Sequence, residues 1–342
     1  MRYSLCMSIA RLVSELVRDA VLRLGCDTLL LSGGIDTSFI ALSTHDLIRY
    51  AVTVALSRDA PDIKYARLVS NSLGIKHYVI TLEGSSNLRA VINEYLSKLL
   101  PIIRTIDPIE VVCDLPLYVG IEFVKDMGSS CLVTGDGGDE LFLGYEFLLS
   151  RSKEELRSWI KKVIDSASFS SVSIGEALGI RVLTGFYIRS VKYVALATPT
   201  ECCINEISGA LVGKYLLRSY LAFNGLVNLA LRRKLPVMYG SGFNELLSMW
   251  GREVSVGDVI TLGRRYRIKL PSRAHAYLLK KLIQLGIDVP DKCDKEELRC
   301  PICGSCLTNG FCRFCGAYLS NEGITSHYSD EVTRVWSKIR LS

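Results

Sequence analysis

Leu29-Leu30-Leu31 is an apolar triplet that runs straight into Ser32-Gly33-Gly34, and the alternation around it organises the chain. Before it, Ile9, Leu12, Val13, Leu16, Val17, Ala20, Val21 and Leu24 recur at intervals of three and four, which predicts an amphipathic helix ending at Gly25. After the glycines, Ile35 to Leu42 again has helical spacing. Tyr50 to Leu56 reads as a second apolar strand. Asp62 caps a helix carrying Ala66, Leu68, Val69 and Leu73, closed by Gly74, and His77 to Leu82 reads as a third strand. Asn87 to Leu100 is predicted helical, with Pro101 ending it. Leu115 to Met127 is a further helix, and Cys131 to Thr134 is a fourth short strand. Near-continuous apolar strands alternating with helices predict an α/β fold, a parallel sheet covered by helices.

From Lys153 the pattern changes. Helical spacing dominates to about Leu231, broken at Gly175, Gly179, Gly185, Pro199 and Gly213, and Ser272 caps a final basic helix that stops at Gly286. The predicted division is an α/β core over 1–150, a mostly helical part over 151–290, a cysteine-rich element over 291–320 and a C-terminal helix over 321–342.

A strand that ends in glycines at a helix start makes an anion site. The glycines let backbone N–H groups approach closely, and the helix end adds a favourable field. Asp36 follows at once, and a carboxylate beside phosphate calls for a divalent cation, here Mg²⁺. The fourth strand runs into a second turn of this kind, Gly135-Asp136-Gly137-Gly138-Asp139-Glu140. Two such turns converging at one sheet edge would bring Asp36 and Asp139 to a shared metal and triphosphate. Lys214 stands at a predicted helix start, misplaced for the helix field and well placed to reach a phosphate.

Composition adds bounds. The chain has 342 residues, 49% hydrophobic and 22% charged, with a net charge of +6. This is a globular composition, long enough for two domains. No stretch reaches 18 uninterrupted apolar residues and the start does not read as a signal peptide, so no membrane partner and a cytoplasmic location are expected. A lone glutamine, Gln284, fits a thermophilic origin. Residues 231–281 carry eleven Lys or Arg and three acids. The dense points are Arg232-Arg233-Lys234 and Arg264-Arg265-Tyr266-Arg267-Ile268-Lys269, the latter readable as a strand with one buried face. This stretch is either a solvated rim or a surface for a nucleic-acid backbone such as RNA.

Of twelve cysteines, six lie between Cys293 and Cys315, and the other six are read as scattered thiols behaving as small hydrophobes in a reducing compartment. Cys300-Pro301-Ile302-Cys303 and Cys312-Arg313-Phe314-Cys315 are two C-x-x-C turns, each followed by glycine. Four sulfurs at this spacing favour a tetrahedral structural Zn²⁺, with an iron–sulfur cluster as the alternative. Cys293 and Cys306 are bystanders, substitute ligands or a redox pair.

Ser32-Gly33-Gly34-Ile35-Asp36-Thr37-Ser38 resembles the pyrophosphate-loop signature of the N-type ATP pyrophosphatases, whose fold is adenine nucleotide alpha hydrolase-like. Thr134 to Phe142, with Gly144-Tyr145, resembles the second signature of the asparagine synthetase branch. Ala60 to Arg67, Gly213 to Arg218 and Arg232 to Gly242 resemble further segments in the expected order. The resemblance implies ATP-dependent adenylation of a carboxylate with release of pyrophosphate, followed by transfer to ammonia or an amine. It implies that Ser32, Gly33, Gly34, Ser38 and Gly135 hold the phosphates, that the Leu30 and Val54 backbones flank adenine, and that Asp36 and Asp139 bind Mg²⁺. Lys214 would stabilise phosphate charge, and Asp136 would handle the incoming amine or its proton. Glutamine-using members begin with a nucleophilic cysteine at position 2 and a glutaminase domain. Here position 2 is Arg2, so ammonia is expected free or from a separate protein. The family's Glu-x-Arg-x-Pro-Phe-Leu-Asp type segment corresponds to Arg181 to Ile188, where Phe186 remains but the acidic and basic residues do not. The acceptor therefore stays open between a small-molecule and a macromolecular carboxylate. ATP-dependent modification of an RNA base and a non-catalytic ATP-binding scaffold are the other readings, and the sequence specifies no oligomeric state.

Overall fold

The computed structural model describes residues 2–84, 87–207, 209–320 and 323–333. Along the chain, α1 (Arg2–Leu24) leads into β1 (Thr28–Leu30), α2 (Ile35–Thr44), β2 (Tyr50–Ala55), α3 (Pro61–Leu73) and β3 (Lys76–Thr81). Next come α4 (Leu88–Ile103), α5 (Pro108–Asp126), β4 (Cys131–Thr134), α6 (Gly138–Leu141), α7 (Lys153–Ser166), α8 (Ser170–Leu178) and β5 (Arg181–Thr184). Then follow α9 (Arg189–Ala197), α10 (Thr200–Cys203), a hairpin of β6 (Asn205–Ile207) and β7 (Ala210–Val212), α11 (Tyr215–Phe223), α12 (Val227–Ala230) and α13 (Val237–Gly240). The chain continues through α14 (Glu245–Arg252), α15 (Val256–Tyr266) and α16 (Arg273–Gln284) to a second hairpin, β8 (Ala317–Ser320) and β9 (Gly323–Ser326).

Two compact units interleave in sequence. One is Met1–Glu83 with Val119–Ser241, and the other is Gly84–Tyr118 with Gly242–Ser342. The linear boundaries expected at 150 and 290 are therefore not the edges of compact units.

The first unit holds a five-stranded sheet in the order β3-β2-β1-β4-β5, with every pairing parallel. The chain first winds to one side of β1 and then returns to the other at β4. The carboxyl ends of β1 and β4 thus meet at the point where the strand order reverses, the usual ligand crevice of an open α/β sheet. Leu29 and Leu31 pack under a core built from Val13, Val17 and Val21 of α1, Phe39 and Ile40 of α2, and Leu216, Leu217 and Leu221 of α11. Fully buried Phe186 joins this core to both glycine turns: its ring lies 5.7 Å from Phe39 and 5.8 Å from Phe142. Leaving such rings in water would cost roughly 2–3 kcal/mol each.

The structure departs from the sequence reading in five places. Asp62, expected to cap α3, lies inside that helix after the N-cap Ala60 and accepts from Arg232 instead. A fifth strand, β5, lies in the half expected to be helical. Only Leu183 of its four residues is buried, so no apolar run announces it. Pro101 lies inside α4, which continues to Ile103. Buried Leu99 and Leu100 anchor that last turn, and Arg104 N–H closes it on Leu100 at 2.9 Å. Arg264 to Tyr266 end a helix, not a strand, and Arg267 follows in the left-handed region at φ 56°. Where a C-terminal helix was expected, Gly323–Ser326 pairs as β9 with β8, and residues 334–342 lie outside the described residues.

The scattered cysteines are also not all free. Disulfides join Cys6 to Cys202, Cys26 to Cys131 and Cys293 to Cys306, with Cα separations of 5.2, 4.6 and 4.7 Å. The first ties α1 to α10. The second ties the amino ends of β1 and β4, opposite the crevice. No helix among the described residues is long and apolar enough to cross a membrane.

His77 on β3 is held neutral in the fold. Thr53 Oγ1 donates to the Leu31 carbonyl at 2.5 Å, so His77 Nε2–H must donate to Thr53 Oγ1, 2.7 Å away. Burial, with Arg67 adding repulsion, pushes the imidazole down to about 4 from an ordinary 6.5. Between those values the unfolded chain binds the extra proton, so stability rises with pH. We expect urea midpoints to fall as pH drops from 6.5 toward 4, and His77→Gln, which keeps a donor, to flatten that slope. An NMR titration placing His77 above 6 would contradict this.

Candidate active site

β1 delivers Leu31, whose N–H bonds the Val52 carbonyl at 2.8 Å, and the chain then turns through Ser32-Gly33-Gly34 into α2. Gly33 has φ 65°, and a β-carbon there would overlap the backbone between Tyr65 and Ala66 of α3. Gly34 is the helix N-cap and supplies no side-chain acceptor, so the first amides of α2 are left to an incoming anion. Ser32 Oγ accepts from Gly34 N–H at 3.2 Å and sits 3.2 Å from Thr37 Oγ1, fixing the turn. Ser38 Oγ is buried with no hydrogen-bond partner.

The turn after β4 presses onto this one. Gly135 lies against Thr37 and Asp36, and a β-carbon on Gly138 would land on the Asp36 carboxylate. Asp139, on the single turn α6, comes to the same place. Lys214 enters from the far side of the sequence as the N-cap of α11, in the left-handed region at φ 58°. Its N–H bonds the Phe142 carbonyl at 3.1 Å, so that backbone state aims the side chain inward. Its ammonium, 4% exposed as a residue, donates to Asp36 and lies 2.8 Å from Asp139 Oδ1.

Burial raises the Asp36 carboxyl, with repulsion from Asp139 adding to it against the pull of Lys214. Burial also works on Asp139, but two ammonium groups, Lys214 and Lys234, outweigh it and hold that carboxyl below its ordinary value. Burial would lower the Lys214 ammonium, but the two carboxylates overcome this and hold it above its usual value. Asp139 is thus the more acidic of the pair. Asp36 Oδ1 remains buried without a hydrogen-bond partner, an acceptor oriented for a cation. These oxygen donors fit Mg²⁺.

Asp136 is held differently. Its Oδ2 accepts from Thr134 Oγ1 at 2.6 Å and Ser171 Oγ at 2.5 Å, and burial raises its carboxyl. Leu30 and Val54 stand at the strand ends, their side chains against Gly120, where a β-carbon would come within 2.9 Å of Leu30 and 3.3 Å of Val54.

Two cations that sequence reasoning left in a basic rim turn inward. Arg232 Nη1 donates to the Ser32 carbonyl at 3.0 Å and Nη2 to Asp62 Oδ1 at 2.5 Å, while its guanidinium lies 4.1 Å over the Tyr65 ring. Lys234 Nζ donates to Asp139 Oδ1 at 2.6 Å and lies 4.2 Å over the Tyr145 ring. Only Arg233 of that trio is exposed. Burial alternates across these three consecutive basic residues, and the sequence carries no signal of it.

In the second unit, Cys300, Cys303, Cys312 and Cys315 are buried and their sulfurs lie within 4.8 Å of one another. Sγ–Sγ distances of 3.7 Å (Cys300–Cys315) and 3.4 Å (Cys303–Cys312) compare with about 3.8 Å for corners of a tetrahedron around zinc. Gly304 and Gly316, both at positive φ, return their N–H groups to the Cys300 and Cys312 carbonyls at 2.8 and 2.9 Å. Hydrogen bonds from the rest of the second unit hold the knot. Thr105 Oγ1 donates to the Arg313 carbonyl at 2.8 Å, Ile106 N–H to Phe314 at 2.7 Å and Lys269 N–H to Ile302 at 2.8 Å.

A parallel sheet with two glycine turns at its switch point, and a buried lysine bridging an acid from each, defines an ATP-binding α/β fold of the pyrophosphate-loop class. The asparagine synthase family model matches residues 11–233, which include both turns and Lys214, and the chain belongs to that family. Asparagine synthetase B [glutamine-hydrolyzing] of Escherichia coli K12 is 24% identical over 288 residues, covering 76% of this chain and 50% of that protein. The glutamine-hydrolyzing asparagine synthetases of Cricetulus griseus (22% over 283 residues, 77% and 48%) and Homo sapiens (22% over 241 residues, 67% and 41%) are similar in the same way. The chain spans about a third to a half of the length of the curated relatives it matches.

Gly33→Ala should lower stability by about 1–3 kcal/mol from backbone strain alone, and by more if α3 has to move. Chemical denaturation measures it, and an unchanged midpoint would contradict the close approach to α3.

Proposed function

We propose that the chain is an AMP- and pyrophosphate-forming ligase, asparagine synthetase-like, that adenylates a carboxylate with ATP and passes the acyl group to ammonia or an amine. The observation that carries this reading is the Lys214 ammonium set between Asp36 and Asp139 under two glycine turns. In the reaction, a carboxylate oxygen attacks the α-phosphorus and pyrophosphate leaves. The amine then attacks the acyl carbon, loses a proton, and AMP leaves. The α2 amides, Ser32 and Ser38 hold the departing pyrophosphate, and Lys214 and Lys234 offset the charge that grows on it. Asp36 and Asp139 would hold Mg²⁺, which would supply Lewis-acid stabilisation of that leaving group. Asp136, its carboxyl raised by burial and held by two hydroxyls that donate to it, is suited to exchanging a proton at the second step.

An RNA-modifying role would need the basic stretch as a phosphate surface. Arg232 and Lys234 are engaged inside the first unit, while Arg233, Arg252, Arg264, Arg265, Arg267 and Lys269 are exposed. The four-cysteine knot is proposed to hold one structural Zn²⁺, whose four sulfur ligands leave no open position.

ATP–pyrophosphate exchange screened with carboxylic acids and with RNA tests the ligase reading. Exchange should respond to a carboxylate and fall about 100-fold or more in Asp36→Ala and Lys214→Ala. Stimulation by RNA alone, or indifference to both substitutions, would overturn it. Metal analysis should find one zinc per chain, and Cys312→Ser should lose it together with thermal stability; a stable, zinc-free chain would contradict the metal assignment.

A further inference from the structure

Beside the site, a cavity of about 470 Å³ opens within the first unit, on a side that the glycine turns do not line. The β6–β7 hairpin and the chain around Leu149 and Leu231 form one wall, presenting Leu149, Leu211, Val212 and Leu231. The basic lining is Arg218, Arg232, Arg233 and Lys234, with the single acid Glu146, whose carboxylate lies 3.9 Å from the Arg233 guanidinium. Two glycines separate the cavity from Lys214. A β-carbon on Gly144 would collide with Asp139 and the Lys214 side chain, and one on Gly213 with the Leu143 carbonyl. Lys234 belongs to both places, since it lines the cavity and donates to Asp139.

The basic lining is built. Arg218 is 6% exposed and donates from Nε to the Gly213 carbonyl at 3.0 Å and from Nη1 to the Ala230 and Arg232 carbonyls at 2.7 and 2.8 Å. These bonds join the helix after Lys214 to the segment that carries Lys234. At the mouth, Arg233 stands exposed, and Leu211 on the opposing hairpin is 57% exposed. An apolar side chain left open opposite cations, around a cavity far larger than a four-carbon amino acid, describes a ligand with an apolar body and anionic ends.

We propose that this cavity is the acceptor subsite, and that it takes a dicarboxylate with an extended aliphatic body, one carboxylate toward Lys234 and the other at Arg233. The proposal rests on the ligase reading for the word acceptor, and on the cavity alone for the ligand class. It accounts for an enzyme that keeps its ATP-binding residues while Arg181 to Ile188 lack the charged pattern of the amino-acid-using relatives.

The test is calorimetric titration of the full chain with straight-chain dicarboxylates from succinate to sebacate, beside ATP–pyrophosphate exchange with the same acids. Affinity should rise with each added methylene, by up to about threefold to fourfold where the methylene is fully buried. Leu211→Asp should abolish that dependence on length, and Arg233→Glu should weaken the long acids at least about tenfold. Both residues are exposed, so the variants should fold, which circular dichroism checks. Affinity flat with chain length, no binding, or binding indifferent to both substitutions overturns the proposal. Length-dependent binding without exchange would support the ligand class and overturn the ligase reading; exchange by short acids without length-dependent binding would do the reverse.

Discussion

The Lys214 ammonium between Asp36 and Asp139 is the interaction on which the rest of the first unit depends. Three charges are brought out of water at one point, and the desolvation of each costs several kcal/mol unless its partners are well placed. Lys234 adds a second cation, 2.6 Å from Asp139 Oδ1. Removing Lys214 alone would leave carboxylates facing one another with part of their compensation gone, a loss of about 3–5 kcal/mol for a buried pair of this kind. A site so arranged has its electrostatics set before any ligand arrives, and that is how an enzyme stabilises developing charge without reorganising at the moment of reaction.

The surroundings follow from getting three distant segments to that point. The parallel order β3-β2-β1-β4-β5 brings the β1 and β4 turns side by side. Glycine is required where the turns meet α3, Asp36 and Lys214, because a methyl group at Gly33, Gly138 or Gly144 would occupy space those groups already fill. Lys214 itself takes the left-handed backbone state, unusual for a residue with a side chain, in order to point inward from the start of α11. Arg232 locks the far side by joining the Ser32 carbonyl to Asp62. The disulfide between Cys26 and Cys131 fastens the same two strands at their other ends.

What the sequence disclosed was what is local. The β1 and β4 turns, the α3 cap at Gly74 and the two C-x-x-C knuckles each lie within a few consecutive residues, so spacing alone exposes them. β5 was hidden because it is short and mostly half-exposed at a sheet edge. The pairing of Cys6 with Cys202 spans 196 residues, and no spacing rule reaches that far. Arg232 and Lys234 looked like surface charge because a run of basic residues carries no mark of which members point inward. The bonds by which Thr105, Ile106 and Lys269 hold the backbone of the four-cysteine element lie outside the cysteine pattern, so spacing does not expose them.

The central claim is that this arrangement breaks ATP between its α and β phosphates. Phosphorus NMR of the products formed during turnover with a responsive carboxylate reads this directly. The account predicts AMP and pyrophosphate in equal amounts, and ADP with inorganic phosphate would contradict it.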